Sequence, residues 1–553
     1  MALSESSQNS LALAPALEAW RQLLGPDQVD DAATARQRYG QDTGAQQREL
    51  SGALRLPAIE ARNAAERASH VDRLVAQVLE IARQYRQALH PISTGRNWGY
   101  GTALPARSGC VLLDLGTLCQ LEVDPELGVA SVEPGVTQEQ LAQHLKDKGL
   151  PFLVPVTGAG PRCSLLSNAL ERGYGVTPVT DHYAAVTNLE AVMADGSRFR
   201  SALREAAGPE LARLFKWGLG PHGQGLFTQS GMGVVTRLSI ALARRPDAIQ
   251  ACLFSIPDDA RLERTVEAMR ALLQRLPGLI GAINLMNRHR VLSMSAPYPW
   301  TELDPQGLIP PEVLLRLGRQ YQVQAWTGFC TLYGTRATVA AARAELRRAL
   351  GPLASRLLFV TPDRAAFLAR ATARLPSWAN GLKRLTQTLR SSLELVAGQP
   401  NETALPLAYW RNRRAAPQDV PREPHAHGCG LLWYAPLVPM RGQDARRYAD
   451  MVHEVARAHG VEPLITFTTL GERVFDSTVP ILFDRDNPEA TARAQACAAQ
   501  LLRRGQALGF FPYRLGIQAM ADLRELAPEA CAWHRRLRST WDPEDLLAPD
   551  RYC

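Results

Sequence analysis

The sequence predicts an α+β protein built from two to four domains. A chain of 553 residues exceeds the usual size of one domain, and its 46% hydrophobic and 21% charged residues allow a large core. Between residues 245 and 505, strand-like runs alternate with Ala- and Arg-rich helical stretches. The preceding part has a different character, because small-residue loops separate its apolar runs. We therefore expect a domain boundary close to residue 245.

The composition argues against several other classes of protein. The formal net charge is +8, but the arginines are spread along the chain beside acidic residues, which is typical of a solvated surface. The nine cysteines form no CxxC pair, so the sequence indicates neither a zinc site nor a disulfide framework. The N-terminus has no basic and apolar leader, and no run is long enough to span a membrane. We expect a cytoplasmic protein without nucleic-acid or membrane partners.

The individual elements follow from apolar spacing and turn residues. Residues 15–25 and 64–89 have helical periodicity, and Thr137 with Gln140 forms a capping-box pattern that opens another helix. Strand-like runs in the first part lie at residues 111–115, 129–135, 150–156, 189–193 and 226–242. Those in the second part lie at residues 251–256, 326–333, 357–361, 430–435, 464–469 and 479–482.

Two loops rich in small residues are candidate phosphate-binding segments. The first contains Ser93, Thr94, Gly95, Arg96, Asn97 and Trp98 and continues to Gly101. The second contains Thr157, Gly158, Gly160, Ser164, Ser167 and Asn168. Such residues let backbone N–H groups close on a phosphate, and hydroxyl groups add further donors. A single loop of this kind is typical of an ordinary turn, so the interpretation depends on the motifs that accompany it.

A third glycine-rich segment, residues 218–223, matches the GxGxxG pattern of dinucleotide-binding proteins. That fingerprint requires a hydrophobic strand before it and a helix after it. Here the preceding residues have helical character, and Pro221 lies inside the turn. The segment is therefore interpreted as a surface loop and not as a site for a nicotinamide cofactor.

A series of short motifs occurs in order along the chain. They lie at residues 93–101, 114, 132–135, 168–173, 180–182, 225–230 and 542–549. Taken together, the series resembles the FAD-linked oxidases of the vanillyl-alcohol oxidase and para-cresol methylhydroxylase family over most of the chain. The resemblance implies a two-lobed FAD-binding domain, formed by residues 1–244 and completed by residues 505–553. It also implies an α+β cap domain inserted at residues 245–504.

The resemblance further implies FAD as the cofactor, with its diphosphate enclosed by the amides of the two small-residue loops. Beyond these loops, the implied cofactor-binding residues are Pro134, Gly173, Asp181, His182, Gly231, Val234 and Val235. In the family, a histidine carries the covalent bond to FAD, and its position here is occupied by Leu431. We therefore expect FAD to be held mainly non-covalently. A shifted attachment to His425 or His427, just upstream, is the alternative.

Tyr100 and the pair Tyr513-Arg514 match family residues that hold the phenolic oxygen of a substrate as phenolate. The pKa of a free phenol is ~10, and an adjacent guanidinium lowers it by roughly 1–3 units. Two tyrosine hydroxyls then donate to the oxyanion. A phenolate pushes electron density toward its para carbon, which favours loss of a hydride from the attached side chain. The three residues are therefore the candidate catalytic residues.

Two other departures from the family bear on the reaction. Vanillyl-alcohol-type members place an aspartate near the flavin in the loop that corresponds to residues 157–168, and this loop contains no Asp or Glu. The family arginine near the flavin pyrimidine ring has no clear counterpart at residues 391–398. Candidate substitutes further along the chain are Arg411, Arg413 or Arg414. The same three arginines are also suited to a substrate carboxylate.

These observations favour an FAD enzyme that oxidises the para side chain of a phenol through a quinone methide. The base-poor loop favours an ending by oxidative decarboxylation or desaturation, as in natural-product biosynthesis. Water addition, as in an alkylphenol or aryl-alcohol oxidase, is the alternative. Other hypotheses are an FAD-linked sugar or hydroxyacid oxidase and an inactive FAD-binding scaffold. We expect a homodimer whose electron acceptor is oxygen or another acceptor.

Overall fold

The computed structural model describes residues 2–376, 380–414, 416–417 and 420–553. Its helices are α1 Ala2–Leu24, α2 Ala32–Tyr39, α3 Ala64–Gln84, α4 Gln138–Asp147, α5 Leu165–Leu170, α6 Ala202–Ala207, α7 Pro209–Ala212, α8 Leu262–Arg275, α9 Arg288–Ser295, α10 Pro311–Gln320, α11 Arg336–Leu350, α12 Pro362–Ala373, α13 Asn380–Val396, α14 Gly442–Ala458, α15 Pro488–Ala507, α16 Leu523–Leu526 and α17 Pro528–Arg538.

The strands are β1 Val29–Asp31, β2 Leu50–Arg55, β3 Leu89–Ile92, β4 Cys110–Asp114, β5 Leu121–Val123, β6 Val129–Val132, β7 Phe152–Leu153, β8 Val186–Met193, β9 Arg198–Phe199, β10 Gly233–Ala241, β11 Ala243–Arg244, β12 Ala248–Ile256, β13 Asn284–Asn287, β14 Trp326–Gly334, β15 Arg356–Val360, β16 Cys429–Tyr434, β17 Pro436–Pro439, β18 Thr466–Thr469, β19 Val474–Asp484 and β20 Phe511–Pro512. This content confirms the predicted α+β class.

The N-terminal part contains a four-stranded sheet in the order β1-β2-β4-β3, in which β2 and β3 run parallel to β4. Helix α3 buries its apolar face, including Val71, Val75 and Val78, in the core beneath this sheet. The sequence predicted this helix to run to residue 89. It ends at Gln84 because Arg86 adopts a left-handed backbone (φ 51°), after which the chain enters β3. Strand β3 leads directly into the first small-residue loop.

A second, antiparallel sheet has the order β5-β6-β10-β8-β9. The helix after β6 begins as the sequence predicted, because the Thr137 hydroxyl accepts from Gln140 N while the Gln140 side chain accepts from Thr137 N. The GxGxxG segment lies in a surface loop after α7, with Leu219 69% exposed. The element directly before this segment is a helix and not a strand, so the interpretation of the segment as a loop is confirmed.

Strands from β12 to β20 form a nine-stranded sheet in the order β15-β12-β14-β13-β18-β19-β17-β20, with β16 also paired to β19. Its core includes the large buried side chains Trp326, Tyr448 and Phe467. The short strand β20 pairs with β17 and ends one residue before Tyr513. The sheet therefore fixes the position of the Tyr513-Arg514 pair.

The C-terminal segment returns to the first sheet. Leu89 N donates to Leu546 O at 2.7 Å, and Leu547 forms a parallel bridge with Leu89. A disulfide joins Cys531 to Cys553, so the expectation that the cysteines carry no such bond was wrong for this pair. The two cysteines are 22 residues apart, and only the fold brings them together. The domain boundaries at residues 244 and 504 stay a prediction.

Among the described residues, no helix combines the length and the apolar character needed to cross a lipid bilayer.

Candidate active site

The first small-residue loop is held against two other segments of the chain. Gly99 N donates to the Thr43 hydroxyl at 2.8 Å, and Trp433 N, on β16, donates to Gly99 O at 3.3 Å. Gly99 has a left-handed backbone (φ 79°), and a Cβ at this position would overlap the Trp433 indole. Glycine is therefore required where the loop meets the nine-stranded sheet.

The two small-residue loops meet, as the sequence predicted for segments that enclose one group. The Ser93 and Ser167 hydroxyls are hydrogen-bonded to each other across the loops. Ser164 caps α5 by accepting from Ser167 N at 3.2 Å, and its hydroxyl donates to Pro134 O at 2.7 Å. These contacts fix the second loop beside the first.

A cavity of about 390 Å³ lies where these loops face the nine-stranded sheet. Predicted cofactor residues on its wall are Ser93, Thr94, Gly95, Arg96, Asn97, Trp98, Gly158, Ser164, Ser167 and Asn168. A smaller cavity of about 90 Å³ shares Ser93 and Ser167 with it and is lined by Pro134 and Val235. Because they share wall residues, the two cavities adjoin each other.

Other predicted cofactor residues do not line either cavity. They are Thr157, Gly160, Gly173, Asp181, His182, Gly231 and Val234. His182 supports a lining residue, because its Nδ1 lies 2.5 Å from Asn168 Oδ1. Thr157 N donates to Gln138 Oε1 at 3.0 Å, which fixes the start of the second loop. Burial lowers the pKa of His182 to about 4, so its ring is neutral. Their contact with the cofactor stays a prediction.

Arg96, expected to add charge near a phosphate, is already paired. Its Nη2 lies 2.8 Å from Glu423 Oε1, and Arg162 Nη1 lies 2.8 Å from the same oxygen. The Arg96 side chain therefore links the first loop to the segment before β16, and phosphate binding by the amides of this loop stays a prediction.

The three candidate catalytic residues are neighbours beside the larger cavity. The Arg514 guanidinium lies over the Tyr100 ring, with 4.2 Å between Cζ and the ring centroid, and it donates to Asn97 Oδ1. Tyr100 and Arg514 line the cavity. Tyr513, the residue before Arg514, lies edge-on to the Tyr174 ring, with 5.3 Å between the ring centroids. Burial raises the pKa of both Tyr100 and Tyr513, which keeps their hydroxyls protonated as donors.

Asp476, on β19, is a buried carboxyl beside this group, and sequence reasoning missed it. Burial raises the pKa of Asp476 to about 7, although Arg514 and a hydrogen bond from Tyr513 act in the opposite direction. Its Oδ1 has no hydrogen-bond partner among the described residues. The signal that could have revealed it is an aspartate inside an apolar strand, where an ionisable side chain is rarely placed without a function.

Glu171 lies between two arginines in the same wall. Its carboxylate is ion-paired with Arg551 and lies 3.3 Å from Arg514 Nε. Among the described lining residues of the larger cavity, Glu171 is the one carboxylate against four guanidinium groups, those of Arg96, Arg290, Arg514 and Arg551. The site is therefore suited to anionic ligands.

The residue at the family's covalent attachment position is a buried leucine on the cavity wall. Leu431 is 4% exposed, and its side chain offers no nucleophile. The two upstream histidines have other partners: His425 Nδ1 accepts from Trp98 Nε1 at 3.0 Å, and His427 Nδ1 lies 2.7 Å from the Tyr409 hydroxyl. Neither histidine lines the cavity.

The three arginines that the sequence suggested for a carboxylate or for the flavin are engaged outside this cavity. Arg411 lies over the Tyr298 ring at 4.8 Å, Arg413 pairs with Asp484 at 3.3 Å and Arg414 pairs with Asp486 at 2.7 Å. The expectation that they face the substrate is not met. Arg290, on α9, is the cap arginine that lines the cavity.

Comparison with known proteins supports the same cofactor. A family model described as an FAD binding domain matches residues 68–201. The 1'-carboxy-chondrochloren decarboxylase of Chondromyces crocatus is 34% identical over 549 residues, which is 98% of this chain and 98% of that protein. The flavoprotein subunit of hydroxylating 4-cresol dehydrogenase from Pseudomonas putida is 27% identical over 498 residues, covering 89% of this chain and 88% of that one.

The fold has a close counterpart among solved structures. The crystal structure of p-cresol methylhydroxylase with substrate bound matches with a TM-score of 0.84 at 24% identity, over 98% of this chain and 96% of that chain. Fold and relatives together define an FAD-dependent oxidoreductase. The arginine-rich wall of the cavity suits the anionic dinucleotide. The chain belongs to the vanillyl-alcohol oxidase and para-cresol methylhydroxylase family.

Proposed function

We propose that the enzyme removes a hydride from the side chain para to the hydroxyl of a phenolic substrate. The reaction then ends with loss of CO2 or of a proton from the next carbon, rather than with addition of water. The observation that carries this proposal is that Tyr100 and Arg514, on the cavity wall, neighbour Tyr513 and the buried carboxyl of Asp476.

The first step is removal of the phenol proton. The pKa of a free phenol is near ~10, and a neighbouring guanidinium such as that of Arg514 lowers it by roughly 1–3 units. Asp476, whose pKa is about 7, is the proposed proton acceptor, and Tyr513 is the hydroxyl that neighbours it. The phenol donates its proton to the Tyr513 oxygen while Tyr513 passes its own proton to Asp476. Phenolate and a neutral Asp476 result, and Tyr100 donates to the new oxyanion.

Loss of the hydride follows from the phenolate. Bound FAD supplies the two-electron acceptor for this step. Electron density from the phenolate oxygen replaces the pair that leaves with the hydride, so the substrate becomes a neutral quinone methide. Arg514 and Tyr100 hold the oxygen throughout and keep the ring in one orientation.

The end of the reaction depends on which bases are available. The second loop has no carboxylate, and Glu171, the carboxylate on the described wall, is neutralised by Arg514 and Arg551. Activation of water is therefore poorly supported. When the next carbon carries a carboxylate, the electron pair of its C–CO2 bond forms the new C=C bond, the ring returns to phenolate, and CO2 leaves without any base.

The 34% identical relative is named as a decarboxylase, which supports this ending. A sugar or hydroxyacid oxidase would have no use for Tyr100, Tyr513 and Arg514, so their convergence argues against that class. Water addition remains the alternative ending, and it would need a base that acts at the side chain, whereas the role proposed for Asp476 is at the phenol oxygen.

The test uses 3-(4-hydroxyphenyl)propanoate and 4-ethylphenol with the purified yellow holoenzyme. Anaerobic addition should bleach the flavin, and aerobic turnover in 18O-labelled water should give unlabelled 4-vinylphenol, with CO2 released from the acid. Bleaching followed by an 18O-labelled alcohol would contradict the proposed ending. Failure of both phenols to bleach the flavin would contradict phenol oxidation itself.

A further inference from the structure

Arg290 is a cation inside the active-site cavity without a counter-ion. Its side chain lines the cavity together with Leu407, Ala408 and Leu431 of the cap. Its Nε and Nη1 atoms are inaccessible to solvent and have no hydrogen-bond partner, and no ion pair joins Arg290 to any described carboxylate. Burial alone lowers the pKa of Arg290, to about 10, so the guanidinium is charged at neutral pH.

The backbone that carries Arg290 is fixed in place. Arg290 N donates to the Asn287 side chain at 3.0 Å, which caps α9, and Asn287 Nδ2 donates to Pro463 O at 2.7 Å. Helix α9 also packs on the turn at Leu405–Tyr409, where Trp410 Nε1 donates to Ala296 O at 2.9 Å. The guanidinium is therefore presented to the cavity by a rigid element.

A charge whose donor atoms are shielded from water and unpaired, as Nε and Nη1 of Arg290 are, destabilises the folded protein unless a ligand compensates it. The other arginines on this wall do not share the problem, because Arg96 pairs with Glu423, and Arg514 and Arg551 pair with Glu171. Arg290 enters from the cap, whereas the two small-residue loops form other parts of the wall. An anionic group on the substrate is the partner that this position lacks.

Resting on the proposed function, we infer that Arg290 binds the side-chain carboxylate of the substrate, so that the enzyme selects phenols carrying a carboxylate on the carbon next to the site of hydride loss. Arg514 then holds the phenolate end and Arg290 the carboxylate end of a dianionic substrate. Two fixed cations in one cavity orient the ring and the C–CO2 bond together.

The contact acts in binding and orientation rather than in breaking the bond. CO2 is neutral, so the carboxylate loses its charge as the C–CO2 bond breaks, and its electron pair passes into the new C=C bond. A guanidinium that held the carboxylate more tightly than the departing CO2 would slow this step. Removing Arg290 is therefore expected to raise KM for the acid strongly while leaving kcat nearly unchanged.

The experiment compares 3-(4-hydroxyphenyl)propanoate with its amide, which has a similar shape but no charge. Arg290→Met is expected to lower kcat/KM for the acid by on the order of 100-fold, the effect of removing one partner of a buried charge pair. For the amide, the change should stay within about threefold. Arg290→Lys keeps a cation and should recover a large part of the preference for the acid.

Arg413→Met is the matched control, because Arg413 is a cap arginine that pairs with Asp484 outside the cavity. It should leave the acid-to-amide ratio unchanged. FAD content and the flavin midpoint potential are measured for each variant. Should Arg290→Met not fold, Arg290→Gln gives the same comparison of acid and amide.

An equal loss of kcat/KM for the acid and for the amide would overturn the inference and assign Arg290 to the cofactor. A loss of kcat/KM that follows a shift in the flavin midpoint potential would do the same. That outcome leaves the proposed function intact, because the wild-type enzyme still oxidises both phenols. Failure of the wild-type enzyme to oxidise either phenol would overturn the proposed function, and the assignment of Arg290 to a substrate carboxylate with it.

Discussion

Asp476 combines deep burial with a position beside the candidate catalytic residues Tyr513 and Arg514. A carboxyl whose pKa is near 7 is suited to accept a proton at neutral pH. Because the relevant base is its ionised form, kcat/KM for a phenol should fall as the pH drops below about 7.

We expect Asp476→Asn to remove this acidic limb and to lower kcat/KM by on the order of 100-fold or more, as general-base removal does. The measurement is kcat/KM for 4-ethylphenol between pH 5 and pH 9. A variant whose profile keeps the wild-type limb near pH 7 would show that another group titrates there.

The same carboxyl makes folding stability depend on pH. Its pKa is raised from 3.8 to about 7 on folding, so the native state holds a proton that the unfolded state has released in this range. Stability contributed by the neutral form is therefore lost as the pH rises from about 4 to about 7, with a slope of about 1.4 kcal/mol per pH unit for one proton.

Asp476→Asn should flatten this dependence, which denaturant unfolding of the holoenzyme at several pH values measures. Asp522→Asn, at an exposed aspartate on the surface, is the control and should leave the slope unchanged. Parallel curves for wild type and Asp476→Asn would mean that Asp476 is not the group that is neutral in the folded protein.

Arg514 is expected to act through its charge at the phenolate oxygen. Arg514→Ala should cost on the order of 3 kcal/mol or more in transition-state stabilisation, measured as kcat/KM for 4-ethylphenol. Arg503→Ala, on the exposed side of α15, should have little effect. Near-normal kcat/KM in the Arg514 variant would contradict the assignment of Arg514 to the phenolate oxygen.

At the scale of elements, the first small-residue loop is shaped by its contact with β16. Gly99 and Gly220 both have a left-handed backbone, with φ of 79° and 77°, but a Cβ at Gly99 meets the Trp433 indole and a Cβ at Gly220 meets nothing within 4 Å. Substituting alanine at each of the two glycines therefore distinguishes the effect of a steric clash from that of backbone strain.

Gly99→Ala should destabilise the protein by about 1–3 kcal/mol more than Gly220→Ala, since overpacking adds to the strain that both share. It should also reduce the FAD content of the purified protein, because the loop lines the cavity. Thermal unfolding and the flavin-to-protein absorbance ratio measure the two effects. Equal behaviour of the two variants would show that the Gly99–Trp433 contact is not limiting.

At the scale of the whole molecule, three parts of the chain complete one site. Strand β3 and its loop come from the N-terminal part, Trp433 and Asp476 from the nine-stranded sheet, and Arg551 from the C-terminal segment. Homodimer formation and a cytoplasmic location stay predictions.

We expect FAD to be held without a covalent bond, because Leu431 offers no attachment atom and both nearby histidines are engaged elsewhere. Acid precipitation should release the yellow colour into the supernatant, and added FAD should raise the unfolding temperature by mass action. Colour that stays with the pellet would point to His425 or His427 and contradict this expectation.

Local patterns were enough to predict much of this molecule. The spacing of apolar residues located most strands of the nine-stranded sheet, and the capping pair Thr137 and Gln140 located a helix start. The ordered motifs predicted FAD and brought together Tyr100, Tyr513 and Arg514. Such signals can be read from the sequence because they depend on residues that are close together in the chain, or on the order in which several motifs occur.

Sequence by itself thus determined the α+β class and the cofactor of this protein, and it predicted the candidate catalytic residues. Only the tertiary structure decided which charges remain unpaired: Arg411, Arg413 and Arg414 found partners elsewhere, whereas Arg290 did not. It also decided that Asp476 is buried beside Tyr513. The reason is physical, since the burial and the pairing of a charge depend on groups brought together from distant parts of the chain.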